Sequence, residues 1–273
     1  MAKFDNIVIV SDMDGTFFGK NSRIIPENVE AIEYFNKNGG KFTFITGRNY
    51  VAVINMYPEL VKCITAPVAF HNCASIYDVH KNEVIFSHPL ESKLASDMYR
   101  FLMSFYPELN TTLRCPDCFY STYPEQFSDW SDKLKEFFHT TTYDNVENLT
   151  VDKIVFSGNE EKFPMMRELI KERYGGAVDC TSAGASSVEL MPHGVNKGYA
   201  VQKLREIPEL SGAKFFAIGD YENDIEMLTE ADVSACPENA LDEVKELSDL
   251  HVCHHDKGAI AELIRIIEEK YIG

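Results

Sequence analysis

The stretch IVIVSDMDGT, residues Ile7 to Thr16, joins four apolar residues directly to two carboxylates, Asp12 and Asp14. Side chains two positions apart on an extended chain point the same way, so the two carboxylates would lie close together. Like charges at that distance repel, and the pKa of one of them rises unless a cation lies between them. The chain must therefore either offset this repulsion or use it.

The length and charge of the chain limit its possible functions. With 273 residues, of which 45% are hydrophobic, it can form one large domain or two smaller ones around a sizeable core. The formal net charge of −17 argues against binding to nucleic acid or to an anionic membrane, because both require a basic surface. A small anionic substrate is still compatible, since a bound cation or a local lysine can reverse the sign in one cleft.

The first ten residues, MAKFDNIVIV, are not expected to form a signal peptide, because their apolar run is short and leads into polar residues. No apolar stretch approaches the ~18 residues of a transmembrane helix. The seven cysteines, without a secretory signal, are expected to be reduced thiols. We therefore expect a cytoplasmic protein, and the sequence leaves its oligomeric state open.

Four short apolar runs share one pattern, in which each run is continuous and stops at polar or small residues. Continuous runs are typical of strands that are covered on both faces. The runs with their endings are IVIV before SDMDGT, KFTFI before TGRN, PVAF before HN and KFFAI before GDYEND. Amphipathic segments lie between or after them, which predicts a doubly wound (Rossmann-like) parallel α/β sheet with helices on both faces.

Three of these amphipathic segments carry helix signals. Pro26 is suited to the first position of a helix that Gly39 would stop. Asn196 is a suitable capping residue for a second helix. The stretch AIAELIRIIEEKY predicts a third helix near the end of the sequence.

The middle of the chain, from Glu83 to Ser187, is richer in Tyr, Thr and Ser than the rest. Its pattern predicts short strands in TTLRCPDCFYSTY and VDKIVFSG, a helix in EKFPMMRELIKERYGG and a hairpin in AVDCTSAGASSVELMP. Mixed structure inserted into a parallel sheet indicates a second domain. We therefore predict a core of residues 1–82 and 188–273 with an inserted α+β domain of residues 83–187.

Polar residues follow the ends of the predicted parallel strands. Ligands bind at the carboxyl ends of such strands, so these residues are expected along one edge of the sheet. Clustered carboxylates there suit a hard divalent cation such as Mg²⁺, which would also relieve the repulsion described above. The residues are Asp12, Asp14, Thr46, Arg48, Asn72, Asp220 and Asp224.

Further residues at the same strand ends suit a phosphoryl group. Lys197 supplies a cation at the start of a predicted helix, where the helix N-terminus adds positive potential. A site for both metal and phosphate indicates phosphoryl transfer, in which one carboxylate can be the nucleophile and its neighbour the general acid and base. Hydrogen-bond donors are available from Thr16, Thr46, Asn223 and the backbone of Gly15 and Gly47.

The motifs DMDGT, TGR, NKG and GDYEND closely resemble, in order and position, the four motifs of the haloacid dehalogenase superfamily of phosphatases. Only a short segment separates Asp14 from Thr46, whereas a long one separates Arg48 from Lys197. That spacing is similar to the Cof-like branch, whose α/β cap is inserted after the second motif. The resemblance implies a Mg²⁺-dependent phosphatase of small phosphorylated metabolites, such as sugar phosphates, with residues 83–187 as the cap that selects the substrate.

The resemblance also implies roles for individual residues. Asp12 would be the nucleophile and a metal ligand, and Asp14 the general acid and base, with its backbone carbonyl on the metal. Arg48 and Asn72 would contact the substrate, although Arg48 could equally form a structural ion pair. Asp220 and Asp224 would complete the metal site, with Asp224 also able to orient Lys197 or a water. Thr46, Gly47, Lys197 and Asn223 would bind the phosphoryl group.

Two motifs depart from the branch. The chain has NCA, with Cys73, where Asn-Gly-Ala is common, and the Cβ atom of Cys73 is expected to shift that loop. It also has CPENA in place of a MGNA-like stretch, a change that we expect to alter a loop and leave the chemistry unchanged.

Two other functions stay open from the sequence. A phosphomutase, similar to phosphomannomutase, would need a basic cluster in the cap to grip a second phosphate, and Arg114, Lys153 and Arg167 are the candidates. A non-catalytic phosphate- or metal-binding regulator of receiver type is disfavoured, because receivers are much shorter and lack a large cap.

The remaining cysteine and aromatic motifs have simpler interpretations. Cys115 and Cys118 of CPDC could form a zinc site only with Cys253, His254 and His255, since structural zinc needs four ligands; free thiols are the simpler interpretation. The aromatic residues from Phe119 to Trp130 are expected to pack within the cap.

Overall fold

The computed structural model describes residues 2–123, 132–141, 145–182 and 187–272. Its strands are β1 (Ile7–Ser11), β2 (Phe18–Gly19), β3 (Arg23–Ile24), β4 (Lys41–Phe44), β5 (Val68–Phe70), β6 (Ser75–Asp78), β7 (Glu83–Ser87), β8 (Asn110–Arg114), β9 (Phe119–Ser121), β10 (Phe138–Thr140), β11 (Lys153–Ser157), β12 (Val178–Ser182), β13 (Ser187–Pro192), β14 (Lys214–Ile218), β15 (Val233–Pro237) and β16 (Leu250–Val252). Its helices are α1 (Pro26–Lys37), α2 (Tyr50–Met56), α3 (Ser92–Phe105), α4 (Asp132–Lys135), α5 (Phe163–Tyr174), α6 (Lys197–Arg205), α7 (Ile225–Glu230), α8 (Asp242–Leu247) and α9 (Ala259–Tyr271).

The chain forms two compact units. The first comprises Met1–Gly47, Glu59–Ile85 and Asn196–Gly273, and the second comprises Arg48–Pro58 and Phe86–Val195. The assignment of catalysis to residues 1–82 and 188–273 and of substrate selection to residues 83–187 stays a prediction, because contacts within a unit do not reveal its function. No helix in the described ranges is long and apolar enough to cross a lipid bilayer.

A five-stranded parallel sheet forms the centre of the first unit, in the order β16, β15, β14, β1, β4. Every side chain of β1 is buried, as expected for a strand that is covered on both faces. Helices α1 and α9 pack together as one pair, and α6 and α7 as another. The predicted doubly wound α/β fold is confirmed.

The apolar run PVAF forms β5, whose continuous ladder is the antiparallel one with β6. A single parallel bridge, between Ile45 and Ala69, links it to the chain that follows β4. The sheet also contains β15, whose sequence VSACP was not among the four predicted runs. Three of the four predicted runs, β1, β4 and β14, are therefore strands of the central sheet, and β15 and β16 were not predicted. Local hydrophobicity does not specify which strand pairs with which.

The predicted helix signals are present. Helix α1 begins at Pro26 and is followed by Gly39 with φ of +95°, a conformation that glycine adopts without strain. Asn196 caps α6, because its side-chain oxygen accepts a hydrogen bond of 2.8 Å from the Tyr199 backbone N–H. The predicted C-terminal helix is α9.

The second unit contains a six-stranded mixed sheet in the order β10, β9, β8, β11, β13, β12. The sheet shares a hydrophobic core with helices α3 and α5, which includes Ile154 and Phe156 of β11, Leu102 of α3 and Met166 of α5. The antiparallel pairing of β12 with β13 confirms the predicted hairpin, whose residues 183–186 lie outside the described ranges.

Among the aromatic residues expected to pack in this region, Phe119 is buried against Leu134, whereas Phe127 and Trp130 lie outside the described residues. All seven cysteines are described, and all are free thiols.

Asn28 provides a test of how the first unit is held together. Its Nδ2 donates to the Phe17 carbonyl at 3.1 Å, and its Oδ1 accepts from the backbone N–H groups of Ile260 and Ala261, both at 3.1 Å. Because Gly258 at the start of α9 has no capping side chain, Asn28 satisfies these N–H groups in its place.

We expect Asn28→Ala to lower the free energy of unfolding by about 2 kcal/mol, since it leaves buried donors and an acceptor without partners. Urea denaturation of the variant provides the measurement. Asn38→Ala is the control, because Asn38 is half-buried and its side chain donates one exposed hydrogen bond, to the Tyr34 carbonyl. A loss no larger than that of the control would contradict this role.

Candidate active site

The loop after β1 lies directly against the loop after β14. Gly15 has a left-handed φ of +79°, and a Cβ atom at this position would clash with the Asp220 carboxylate. The Thr16 hydroxyl donates to Asp220 Oδ1 at 2.9 Å. The glycine of the DMDGT motif therefore allows the close approach of two chain segments that carry predicted site carboxylates.

Lys197 lies between two of these carboxylates. Its Nζ atom is 2.6 Å from Asp12 Oδ1 and 2.6 Å from Asp224 Oδ1, and all three side chains are at least 90% buried. The other oxygen of Asp224 accepts hydrogen bonds from the backbone N–H groups of Asp220 and Tyr221, at 3.0 and 3.1 Å. Asp224 therefore orients both Lys197 and the loop that carries Asp220.

The carboxylates of Asp12, Asp220 and Asp224 can each place one oxygen within 4.8 Å of the others. A compact set of oxygen donors fits a hard cation such as Mg²⁺, which binds carboxylates and keeps several waters. Asp14 is exposed to solvent, in contrast to the buried Asp12. Asp12, Asp220 and Asp224 thus fit the predicted metal. Lys197 compensates only part of their negative charge, and the cation would offset the rest.

The pKa values of the cluster follow from burial and charge. Burial raises the pKa of Asp12 above its ordinary value, Lys197 opposes this, and the neighbouring carboxylates add to it. Burial, assisted by Asp224, raises the pKa of Asp220 to about 6. Burial disfavours the charged form of Lys197, but the two carboxylates outweigh it and raise its pKa, so the ammonium stays protonated.

The second predicted motif, TGR, lies at the end of β4. Thr46 is buried, its backbone N–H donates to the Ala69 carbonyl at 2.9 Å, and its carbonyl accepts from the Asn72 N–H at 2.9 Å. Asn72 and Cys73 both have positive φ, 55° and 93°, which is uncommon for residues other than glycine. Cys73 thus has a backbone conformation that favours glycine, although it carries a Cβ atom. Whether that atom shifts the loop relative to the branch stays a prediction.

The remaining predicted residues lie in different places. Arg48 belongs to the second unit, where its guanidinium lies over the Tyr57 ring, 5.4 Å from the centroid. Asn223 is half-buried in the turn between β14 and α7. The structure therefore brings Asp12, Asp220, Asp224 and Lys197 into one cluster, and it places Thr46, Gly47 and Asn72 at neighbouring strand ends.

A second group of potential metal ligands consists of His254, His255 and Asp256 in the C-terminal segment. None of the cysteines that the sequence analysis considered as zinc ligands belongs to this group. Its atoms already make hydrogen bonds to the chain around β2. His255 Nδ1 lies 2.6 Å from the Phe18 carbonyl oxygen, and Asp256 Oδ1 accepts from the Lys20 N–H at 2.7 Å. We interpret this group as a structural link between the two segments.

Sequence reasoning missed Asn239, which follows β15. Its Nδ2 donates to the Gly15 carbonyl at 2.8 Å, and Leu241 N–H donates to the Asp220 carbonyl at 3.0 Å. The run VSACP is mostly apolar and is followed by the polar residues Glu238 and Asn239, like the four runs that predicted the site. The expectation that ligands bind at the carboxyl ends of parallel strands could therefore have pointed to Asn239.

Comparison with known proteins agrees with this geometry. A sequence model of the haloacid dehalogenase-like hydrolases matches residues 9–264, and the chain belongs to that family. The predictions of this family and of a phosphatase-type hydrolase are confirmed.

Two curated relatives span nearly the whole chain. The chain is 27% identical to 5-amino-6-(5-phospho-D-ribitylamino)uracil phosphatase YwtE of Bacillus subtilis, over 94% of this chain and 96% of the relative. It is 24% identical to pyridoxal phosphate phosphatase YbhA of Escherichia coli, over 94% and 97%. A haloacid dehalogenase-like hydrolase from Bacteroides thetaiotaomicron has the same fold, with a TM-score of 0.82 at 20% identity over 95% of this chain and 98% of that one.

The raised pKa of Asp220 leads to a prediction for metal binding. Below about pH 6 the apo protein carries a proton on Asp220, which must leave before the carboxylate can bind a cation. We expect the apparent Mg²⁺ dissociation constant to rise by up to about tenfold per pH unit as the pH falls below this value. Isothermal titration calorimetry between about pH 5 and pH 8 measures this, and a flat profile would contradict the prediction.

Proposed function

We propose that this protein is a Mg²⁺-dependent phosphatase that hydrolyses small phosphorylated metabolites through an aspartyl-phosphate on Asp12. The observation that carries the proposal is the buried Lys197–Asp12 pair, 2.6 Å apart, beside the carboxylates of Asp220 and Asp224. The Lys197 ammonium is held against the Asp12 carboxylate at the end of β1. Such a pair suits a site that must position both a nucleophile and a phosphoryl group.

In the first step, one oxygen of Asp12 attacks phosphorus while the bond between phosphorus and the leaving oxygen breaks. Lys197 holds the other oxygen and limits rotation of the carboxylate. The proton that the leaving alcohol needs comes from the carboxyl group of Asp14. When bound, Mg²⁺ would be held by Asp12, Asp220, Asp224 and the Asp14 carbonyl, and it would neutralise charge on the phosphoryl oxygens.

In the second step, a water molecule loses a proton to Asp14 and attacks phosphorus, which breaks the bond to Asp12 and releases inorganic phosphate. The two aspartates differ in exposure in the way that these roles need. Asp14 is exposed and can exchange protons with solvent, whereas Asp12 is buried, which protects the adduct from bulk water.

The phosphoryl group would be bound by Thr46, Gly47, Lys197 and Asn223. The start of α6 supports this role for Lys197, because the N-terminus of a helix favours an anion. Arg48 and Asn72 are proposed to contact the rest of the substrate, and residues 83–187 to select it. The compartment, which we expect to be the cytoplasm, stays a prediction.

The relatives indicate which substrates to test first. They are named as phosphatases of a ribityl-aminouracil phosphate and of pyridoxal phosphate, both phosphomonoesters attached to small nitrogen heterocycles. We propose small metabolites of this size and charge as substrates, with sugar phosphates included in the panel.

A phosphomutase is less well supported. Its second phosphate would need free basic side chains, but Lys153 lies 2.6 Å from Glu189 in a buried ion pair, which compensates its charge. Formation of an isomeric phosphate without release of inorganic phosphate would nevertheless overturn the phosphatase proposal.

Substitution of the nucleophile tests the covalent step. Asp12→Asn should lower phosphate release from a generic aryl phosphate with Mg²⁺ by at least about 1,000-fold, because an amide oxygen does not form the adduct. EDTA should stop the wild-type reaction. Asp242→Asn, at an aspartate whose side chain is 98% exposed, serves as the matched control and should retain activity. Full activity of Asp12→Asn would refute the assigned nucleophile.

Substitution of Asp14 separates the two steps. An aryl leaving group departs without a proton, so Asp14→Asn should still form the aspartyl-phosphate from an aryl phosphate but hydrolyse it slowly. We expect a burst of one phenol per enzyme and a phosphorylated protein in the mass spectrum after rapid acid quench. Equal loss of the burst and of the steady-state rate would contradict the role of Asp14 in the second step.

A further inference from the structure

A short segment after β15 contacts both loops of the candidate site. Asn239 Nδ2 donates to the Gly15 carbonyl at 2.8 Å, and Asn239 Oδ1 accepts from the His255 N–H at 3.1 Å. Two residues further on, the Leu241 N–H donates to the Asp220 carbonyl at 3.0 Å. Residues 239–241 thus donate hydrogen bonds to the main chains of both the DMDGT loop and the Asp220 loop.

Gly15 is the most adaptable point of the first loop, because glycine has the widest range of backbone conformations. Its backbone changes from the extended conformation of Asp14, with ψ of 120°, to a left-handed one with φ of 79° and ψ of −2°. The bond from Asn239 fixes the direction of the Gly15 carbonyl, and the bond from Thr16 to Asp220 Oδ1 holds the next residue. Hydrogen bonds therefore hold both the Gly15 carbonyl and the Thr16 side chain, at the point where the backbone of the loop is otherwise least restricted.

We infer that Asn239 is a positioning residue for the divalent cation. It acts through Gly15, and it holds the loop that carries Asp12 and Asp14 at the separation from Asp220 that a single ion needs. The inference rests on the proposed function, since it takes Mg²⁺ as the ion. Loss of a side chain that orients metal ligands in this way lowers metal affinity by about 10- to 100-fold.

The two bonds of Asn239 have different consequences, and one substitution separates them. Asn239→Asp keeps an oxygen for the His255 N–H but turns an acceptor toward the Gly15 carbonyl, which repels it. An added carboxylate near the site would by itself attract a cation. Weaker cation binding by Asn239→Asp would therefore have the opposite sign to the charge effect, and it would identify the bond to Gly15 as the cause.

The experiment measures binding of Mn²⁺, a substitute for Mg²⁺, from the electron paramagnetic resonance signal of the free ion, with Mg²⁺ calorimetry alongside. Asn239→Asp and Asn239→Leu should each raise the dissociation constant at least about tenfold. Asn28→Ala is the matched control, since Asn28 makes the same pattern of bonds but to Phe17, after the loop. It should lower the melting temperature and leave the dissociation constant within about twofold of the wild-type value.

The outcomes distinguish this inference from the proposed function. If the wild-type protein binds Mn²⁺ and Asn239→Asp binds it equally well, the inference is wrong whatever the enzyme activity. If wild-type binding is lost in Asp220→Asn and weakened in both Asn239 variants, the inference holds even should no phosphomonoester be hydrolysed. A wild-type protein that binds no divalent ion would overturn both.

Discussion

The buried ammonium of Lys197 between Asp12 and Asp224 is the interaction on which the rest of the site depends. Removal of these charges from water is costly, and the attraction between them offsets that cost only with good geometry and further hydrogen bonds. The structure provides both, with distances of 2.6 Å and backbone donors on the second oxygen of Asp224. The start of α6, the end of β1 and the turn after β14 must therefore meet at one point.

Close approach of these segments requires small residues and backbone ties. Gly15 lies against Asp220, and Gly219 lies against Asp224, where a Cβ atom would clash with the carboxylate in each case. Asn239 and Leu241 then hold the carbonyl groups of Gly15 and Asp220. The excess negative charge of the cluster is thereby confined to a small volume that suits a divalent cation.

Exposure distinguishes two carboxylates that look equivalent in sequence. Asp12 is buried beside Lys197, whereas Asp14 is open to solvent. Burial suits a group that carries a covalent adduct, and exposure suits a group that exchanges protons with water. The second unit has its own sheet and its own hydrophobic core.

The sequence alone predicted three strands of the parallel core, its helix starts and the four residues that the Lys197 cluster brings together, because apolar runs, capping residues and polar strand ends are local signals. It could not determine that β5 pairs antiparallel with β6, which carboxylates contact Lys197, or which aspartate is buried. Nor did it reveal Asn239, which bonds to a carbonyl 224 residues away in the chain. Contacts of that kind depend on where two loops meet after the sheet has formed, and only the tertiary structure decides this.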